Sequence, residues 1–142
     1  MAGKVPKKKP RPGVDGYGRT PLHYAAAQGN TAEVGRLLAE GASANAQDDN
    51  GWTPAHFAAQ ACSLECLEAL LAAGADPALA DVHGNTVLWR AVFASRGDGG
   101  LIRALRAAGA DPYALNKHGS SPLDLARTIA NYDVRQFFAD LP

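Results

Sequence analysis

Turn and helix-start residues recur along this chain at an almost constant interval. One column contains, at successive spacings of 33, 33 and 35 residues, Thr20, Thr53, Thr86 and Ser121. A glycine stands two residues before each of them, at Gly18, Gly51, Gly84 and Gly119. A fixed period of this length is typical of repeat architectures, in which each unit buries its apolar face only against its neighbours. The sequence therefore predicts four stacked copies of one small unit.

The stretch from Gly51 to Asp81 shows what one unit contains. Thr53 can accept from the free amides of a helix N-terminus, and Pro54 suits the first helical position because its missing N–H is not needed there. A short apolar run follows, and amphipathic helical spacing then marks a second run, Leu64, Cys66, Leu67, Leu70 and Leu71. Gly74 and Pro77 favour termination of that second helix. Each unit is therefore predicted to be a pair of helices.

The start of each unit carries the residues of a known motif. Residues 20–25 read TPLHYA, which matches T-P-L-H-x-A, and residues 53–58 read TPAHFA, with alanine for leucine. The later copies diverge: residues 86–91 read TVLWRA, and residues 121–126 read SPLDLA, with Asp124 in place of histidine. Over residues 15 to 138 the chain resembles the ankyrin repeats, whose unit of about 33 residues is a β-turn followed by two helices.

The resemblance implies an all-α repeat fold, an α-solenoid of four helix-turn-helix units joined by β-turn fingers. We expect a repeat domain over residues 15–142, with units near 20–52, 53–85, 86–120 and 121–142. The last unit is expected to cap the stack with a polar outer side and to bury Phe137 and Phe138. The predicted core is Leu22, Leu37, Leu38, Leu67, Leu70, Leu71, Leu88, Ile102, Leu105, Leu123, Leu125 and Val134.

The first 14 residues differ in character from the repeats. They carry five basic residues and no acid, whereas the remainder has 9 basic and 14 acidic residues, so charges of +5 and −5 cancel in the neutral total. Such a segment is predicted to be disordered. It is interpreted as a solubilising tail, as a nuclear-import signal if the source is eukaryotic, or as a weak, non-specific nucleic-acid contact through counterion release.

The sequence offers no sign of export or of a membrane anchor. No apolar run of signal-peptide length follows the basic start, and no run of 18 apolar residues is present. We therefore expect a cytoplasmic, monomeric protein, or a nuclear one if the source is eukaryotic. The composition, rich in Ala, Leu and Gly with Arg commoner than Lys after residue 12, favours a GC-rich bacterial source.

Cysteines and histidines give no support to a chemical role. Cys66 falls in an apolar column and is predicted to be buried, whereas Cys62 lies at the turn between helices and is predicted to be exposed. His23 and His56 occupy the histidine position of the motif, where the resemblance implies hydrogen bonds between neighbouring loops. Zinc needs four ligands at characteristic spacings, which the chain does not supply. No metal, cofactor or catalytic residue is predicted.

The resemblance also locates a binding face. In this family the turn tips and the inner face of each first helix form one concave surface on which residues vary. Carried over by position, the predicted partner-binding set is Tyr17, Arg19, Gln28, Asp49, Asn50, Trp52, Gln60, Val82, His83, Asn85, Phe93, Lys117 and His118. Trp52 is favoured as a binding anchor without a packing role, because its counterparts are Arg19, Asn85 and Ser120 and because Trp dominates binding hot spots. The alternative is that Trp52 packs against the turn of its neighbour.

The third unit departs from the pattern between its two helices. Residues 95–100, SRGDGG, lengthen that turn by two residues and are expected to form a mobile loop with exposed charge. Trp89 and Arg90 precede the loop on the first helix of the unit. They either extend the binding face, or Trp89 fills the volume that the missing Pro and His would occupy.

Two functional classes follow. The repeat body predicts a protein-binding module acting as an adaptor, an inhibitor or an immunity-type protein, and the basic segment suggests the alternative of a nucleic-acid-associated or nuclear regulator. An enzyme is not expected, because the chain has no phosphate-binding loop, no H-E-x-x-H and no G-x-S-x-G.

Overall fold

The computed structural model describes residues 12–129 and 131–142. The predicted basic tail therefore lies outside the described residues, apart from residues 12–14. In the described part, the elements are α1 (Pro21–Ala27), α2 (Thr31–Ala39), α3 (Pro54–Gln60), α4 (Leu64–Ala72), α5 (Val87–Ala94), α6 (Gly100–Ala107), α7 (Pro122–Thr128) and a C-terminal 3-10 helix (Val134–Phe138). The predicted all-α repeat fold is confirmed.

The helices pack as two layers along the stack. The first helices of the units form one layer, in which α1 packs against α3, α3 against α5 and α5 against α7. The second helices α2, α4 and α6 form the other layer, and each pair is closed by contact between its own two helices. The fourth unit ends in the short 3-10 helix, which packs against α7.

The repeated Thr or Ser column starts the first helices. Thr53 is the N-cap of α3, and its side chain accepts from the backbone N–H of His56, while Pro54 occupies the first turn. Ser121 caps α7 in the same way through the N–H of Asp124. Asp124 completes a reciprocal capping box by accepting from the backbone N–H of Ser121 at 3.0 Å. Aspartate at this position is therefore part of the cap of α7.

A second repeated column builds the turn fingers between units. In each finger one side-chain oxygen accepts from the backbone N–H groups two and four residues later; for Asp48 these are Asn50 at 2.9 Å and Trp52 at 2.8 Å. The same pair of bonds is made by Asp15, Asp81 and Asn116. A short polar side chain that holds its own turn explains why only Asp or Asn occupies this column.

The glycine column is required by backbone angle and by close approach. Gly51 and Gly84 have φ of +77° and +79°, in the left-handed region that side chains disfavour. A Cβ at Gly51 would lie 2.9 Å from the Cα of Asp81, and a Cβ at Gly84 would lie 2.9 Å from the backbone N of Lys117. Glycine therefore allows the backbones of neighbouring fingers to touch.

The core runs along the interface between the two layers. Most of the predicted apolar residues are buried, but four of them are only partly buried: Leu37, Leu38, Leu71 and Leu125. Leu37 is only partly buried because, among the described residues, α2 packs against α4 in its layer, whereas its counterpart Leu70 lies in α4 between α2 and α6. Burial that was not predicted includes Val34, Val87 and Val92.

The loop of the third unit carries exposed charge at Arg96 and Asp98, as expected, but other parts of it are packed. Ser95 is buried and donates its hydroxyl to the carbonyl oxygen of Val92 at 3.0 Å. Gly99 is also buried, and a Cβ there would lie only 2.2 Å from the ring of Phe137. The loop thus packs against the C-terminal segment, and the absence of a side chain at Gly99 leaves space for the ring of Phe137.

The C-terminal segment closes the stack as expected. Phe138 is buried and Phe137 is partly buried, while Arg127, Asp133, Arg135 and Gln136 are exposed. Arg106 of α6 fixes the end of the chain by donating to both carboxylate oxygens of Asp140, at 2.7 and 2.8 Å. It also donates to the carbonyl oxygen of Phe137 at 2.9 Å. Within the described ranges, no helix has the length and apolar character needed to cross a membrane.

Candidate partner-binding surface

Two buried histidines connect neighbouring units through hydrogen bonds. Nδ1 of His56 accepts from the backbone N–H of Thr53 at 3.1 Å, which leaves Nε2–H to donate to the carbonyl oxygen of Asn85 at 3.0 Å. His23 makes the same contacts, with the backbone N–H of Thr20 and the carbonyl oxygen of Trp52, both at 2.9 Å. The predicted structural role of both histidines is confirmed. Each fixes the finger of the following unit against its own helix.

This arrangement predicts a pH-dependent stability. Burial lowers the pKa of His23 and the pKa of His56 below the ordinary value of 6.5. Below pH 6.5 the unfolded chain therefore binds protons that the folded chain does not, so stability present above that pH is lost as pH falls towards the folded pKa values. For two such groups the slope is at most about 2.7 kcal/mol per pH unit. Urea unfolding between pH 8 and pH 5 measures it.

The two exposed histidines provide the control for this prediction. His83 and His118 lie at turn tips and make no side-chain hydrogen bond among the described residues. The double variant His83→Asn, His118→Asn is expected to keep the slope. A flat profile in the unmodified protein, or loss of the slope in this variant, would contradict the assignment to the buried pair.

The finger-column residue also makes a side-chain hydrogen bond across each unit boundary. In Asp48 and Asp81 the second carboxylate oxygen makes this bond, and in Asn116 the amide nitrogen makes it. Asp48 accepts from Nε of Arg19 at 3.3 Å, and Asp81 accepts from the indole Nε1 of Trp52 at 3.2 Å. At the third boundary the direction reverses: Nδ2 of Asn116 donates to Oδ1 of Asn85 at 2.8 Å. The residue before each of the three Thr residues of this column is therefore a hydrogen-bonding partner of the next finger.

This geometry corrects two expectations. Asn85 is buried and its amide oxygen is occupied, so it does not belong to the exposed face. Trp52 was expected to have no packing role, but it donates to Asp81 and its ring lies 4.8 Å from that of Phe57. Substitution of Trp52 would therefore alter stability as well as any binding.

Backbone hydrogen bonds tie the turn tips into a continuous row. The N–H of Asp49 donates to the carbonyl oxygen of Tyr17, and the N–H of Val82 donates to that of Asn50, both at 2.9 Å. Lys117 donates to His83 in the same way, also at 2.9 Å. The side chains of the tips are thus presented from a backbone that is fixed relative to its neighbours.

The predicted binding residues fall into three groups by exposure. Buried Asn85 has been discussed. The partly buried residues are Tyr17, Arg19, Asp49, Asn50 and Trp52. The exposed residues are Gln28, Gln60, Val82, His83, Phe93, Lys117 and His118. Phe93 and Val82 are the most hydrophobic of the exposed set, with 60% and 44% of their surface accessible.

Two adjoining grooves lie on this surface. One, of about 250 Å³, is formed by the fingers and first helices of the first three units and is lined by residues that include Arg19, Trp52, Gln60 and His83. The other, of about 730 Å³, runs between the helix ends of the second and third units and is lined by residues that include Cys62, Phe93 and Asp98.

Arg90 borders both grooves; it lies outside the predicted partner-binding set, although it was offered with Trp89 as a possible extension of the binding face. Its guanidinium carbon lies 4.9 Å from the ring centre of Trp52, 5.6 Å from that of Trp89 and 5.0 Å from that of Phe93. Trp89 and Phe93 stack on each other at 5.6 Å, so four side chains from two units form one cluster. The motif did not predict that these four side chains lie together. Of the three aromatic residues among them, only Trp89 stands at a defined position of the motif, that of the histidine.

The cysteines lie where they were predicted. Cys66 is buried, and Cys62 is exposed at the turn between α3 and α4. Cys62 has a φ of +55°, and its counterpart Gly29 has +66°, so this turn demands a left-handed residue that glycine satisfies more easily. Among the described residues, no group of three or more His, Cys, Asp or Glu side chains is placed to hold a metal ion.

Comparison with protein families agrees with the geometry. A family model described as ankyrin repeats (3 copies) matches residues 5–81 and residues 32–116, which together cover most of the chain. A comparison with curated proteins gives no match. Ankyrin repeats are generally protein-binding modules, and the family is not an enzyme family. The chain belongs to the ankyrin repeat family, as shown by its match to the family model and in agreement with its repeated fingers and capped helix pairs.

Proposed function

We propose that the chain binds a partner protein through its turn tips and the adjoining faces of its first helices, as an adaptor, an inhibitor or an immunity-type protein. The observation that carries the proposal is the combination of a hydrogen-bonded row of tips with exposed side chains that do not serve the core. Binding to a pre-ordered surface avoids the entropy cost of arranging that surface during association.

The centre of this surface is the neighbourhood of Phe93. Phe93 in α5 and Val82 at the turn tip before α5 both expose apolar area, and Phe93 lies beside Arg90, which contacts Trp52. Aromatic and Arg side chains in the middle of an interface commonly dominate its affinity. A partner covering this region would bury Phe93 without any change in the repeat stack.

The test is replacement of Phe93 by serine. Because the side chain is largely exposed, the free energy of unfolding is expected to change by about 1 kcal/mol or less. Affinity for the partner is expected to fall about thirtyfold or more, as at a hot spot. Partners captured from the source cell would be identified by mass spectrometry, and purified partner would then be titrated calorimetrically against both proteins.

Tyr113→Ser is the matched control. Tyr113 is also a large exposed side chain, with 47% of its surface accessible, but it lines neither groove. It is expected to leave partner affinity unchanged. Equal affinity of the Phe93→Ser variant and the unmodified protein, or equal losses in both variants, would place the binding face elsewhere.

A further inference from the structure

Arg90 is a cation without an anionic partner among the described residues. Its guanidinium lies against aromatic rings of two units, and its Nε atom is buried with no hydrogen-bond acceptor. The rings offset part of the cost of removing the charge from water, but they are not hydrogen-bond acceptors of carboxylate strength. Burial lowers the pKa of Arg90 from its ordinary value, as expected for a charge that is incompletely compensated.

The contrast with Arg19 shows that this state is particular to Arg90. Arg19 also lies over aromatic rings, but its Nε pairs with the carboxylate of Asp48 at 3.3 Å. The carboxylate that acts electrostatically on Arg90 is that of Asp81, and its two oxygens accept from Trp52 and from the backbone N–H groups of the finger. Asp81 thus serves the finger, and no ion pair joins it to Arg90 in the described part of the chain.

The remaining charges around the grooves do not neutralise Arg90. The larger groove is also lined by Arg96 and Asp98, which lie on the exposed parts of the inserted loop and have opposite signs. The side chain of Asp98 accepts from the backbone N–H of Gly100 at 2.9 Å, so it serves the start of α6. An unpaired, partly buried guanidinium between two grooves therefore favours an anionic group supplied from outside the chain.

We propose that Arg90 is the anchor for an Asp or Glu carboxylate of the partner protein, with an apolar neighbour of that residue placed on Phe93. This inference rests on the proposed function and specifies the chemistry of its partner. A planar guanidinium can bind a carboxylate through two parallel hydrogen bonds, which its aromatic contacts do not replace. The repeat body itself carries a formal excess of five acidic residues, 14 against 9, so a local acidic residue beside apolar contacts fits better than a long polyanion.

The experiment is a selection of random peptides displayed on phage against the immobilised full-length protein. It compares the unmodified protein with Arg90→Met and with Arg135→Met, at near-physiological salt where exposed charges are screened over about 8 Å. Arg135 is exposed and lines neither groove, so its replacement removes the same charge from the same chain and retains the basic N-terminal segment. We expect Asp or Glu next to apolar residues to be enriched on the unmodified protein and on Arg135→Met, but not on Arg90→Met.

Synthetic versions of the selected peptides give the quantitative test. A peptide with Glu is expected to bind Arg90→Met about thirtyfold more weakly than it binds the unmodified protein. A peptide with Gln in place of Glu should lose the same factor on the unmodified protein and nothing further on Arg90→Met, as a coupled pair requires. Arg90→Lys, which keeps the charge without the planar donor pair, is expected to give an intermediate loss. Thermal unfolding by circular dichroism verifies that each variant is folded.

Each other outcome has a defined meaning. Peptides that lose affinity on Phe93→Ser but not on Arg90→Met would overturn the carboxylate anchor and retain the proposed binding face. Peptides indifferent to both substitutions, or a selection that enriches none, would count against both. A phosphoserine peptide that binds more tightly than the Glu peptide, and does so only with Arg90 present, would replace the carboxylate with a phosphoryl group and overturn the proposal as stated.

Discussion

Leu70→Ala is expected to lower the free energy of unfolding by about 2–5 kcal/mol. Leu70 is completely buried in α4, the second helix of an internal unit, with α2 on one side and α6 on the other. Truncation removes apolar burial and leaves a cavity that neighbouring helices, held by their own contacts, fill only in part. Urea unfolding followed by circular dichroism gives the difference directly.

Leu37→Ala is the matched control, because Leu37 occupies the same column one repeat earlier. It is only partly buried, since α2 packs against α4 in its layer, whereas α4 lies between α2 and α6. We expect a smaller loss of stability than at Leu70. Equal losses at the two positions would mean that burial in this stack does not depend on having a neighbour on each side.

His56→Ala is expected to cost about 2–4 kcal/mol, because it leaves the backbone N–H of Thr53 and the carbonyl oxygen of Asn85 without their partner. His56 is completely buried, so water does not readily replace the imidazole. The loss should be seen as a lower midpoint in urea. The histidine belongs to the internal second unit, so its removal weakens the attachment of the third finger as well as the cap of α3.

Two further substitutions separate these effects. His56→Asp introduces the residue that the fourth unit uses, which can preserve the cap of α3 but cannot reach or donate to the following finger. It is therefore expected to remain less stable than the unmodified protein. Asp124→Ala removes only a cap at an exposed position and is expected to cost about 1 kcal/mol. A cost at Asp124 as large as that at His56 would show that the bond between units contributes little.

Local features of the repeat could be predicted because each depends on residues close together in sequence. The Thr or Ser N-cap, the first-turn proline and the finger aspartate all act over two to four residues, as the bonds of Asp48 to Asn50 and Trp52 illustrate. The exposure of Cys62 and the burial of Cys66 likewise follow from position within one unit. The partner-binding role of the concave residues stays a prediction.

Contacts between units could not be predicted with the same success. Trp52 varies within its column, which was interpreted as freedom from packing. In the structure each residue of this column instead hydrogen-bonds to the next finger. Arg19 and Trp52 donate to an Asp carboxylate, whereas Asn85 accepts from an Asn amide. The residue type in this column therefore varies together with its hydrogen-bonding partner in the next finger. One sequence contains too few copies of the unit to reveal such pairing.

The sequence by itself determined the repeat period, the helix pairs and the finger turns, because these are set by local hydrogen bonding and by the spacing of apolar residues. Only the tertiary structure decided which leucines are covered, that the loop of the third unit receives Phe137, and that Arg90 lies unpaired among rings of two units. These depend on the position of a unit in the stack and on side chains about 33 residues away, since neighbouring helix pairs complete each other's surfaces.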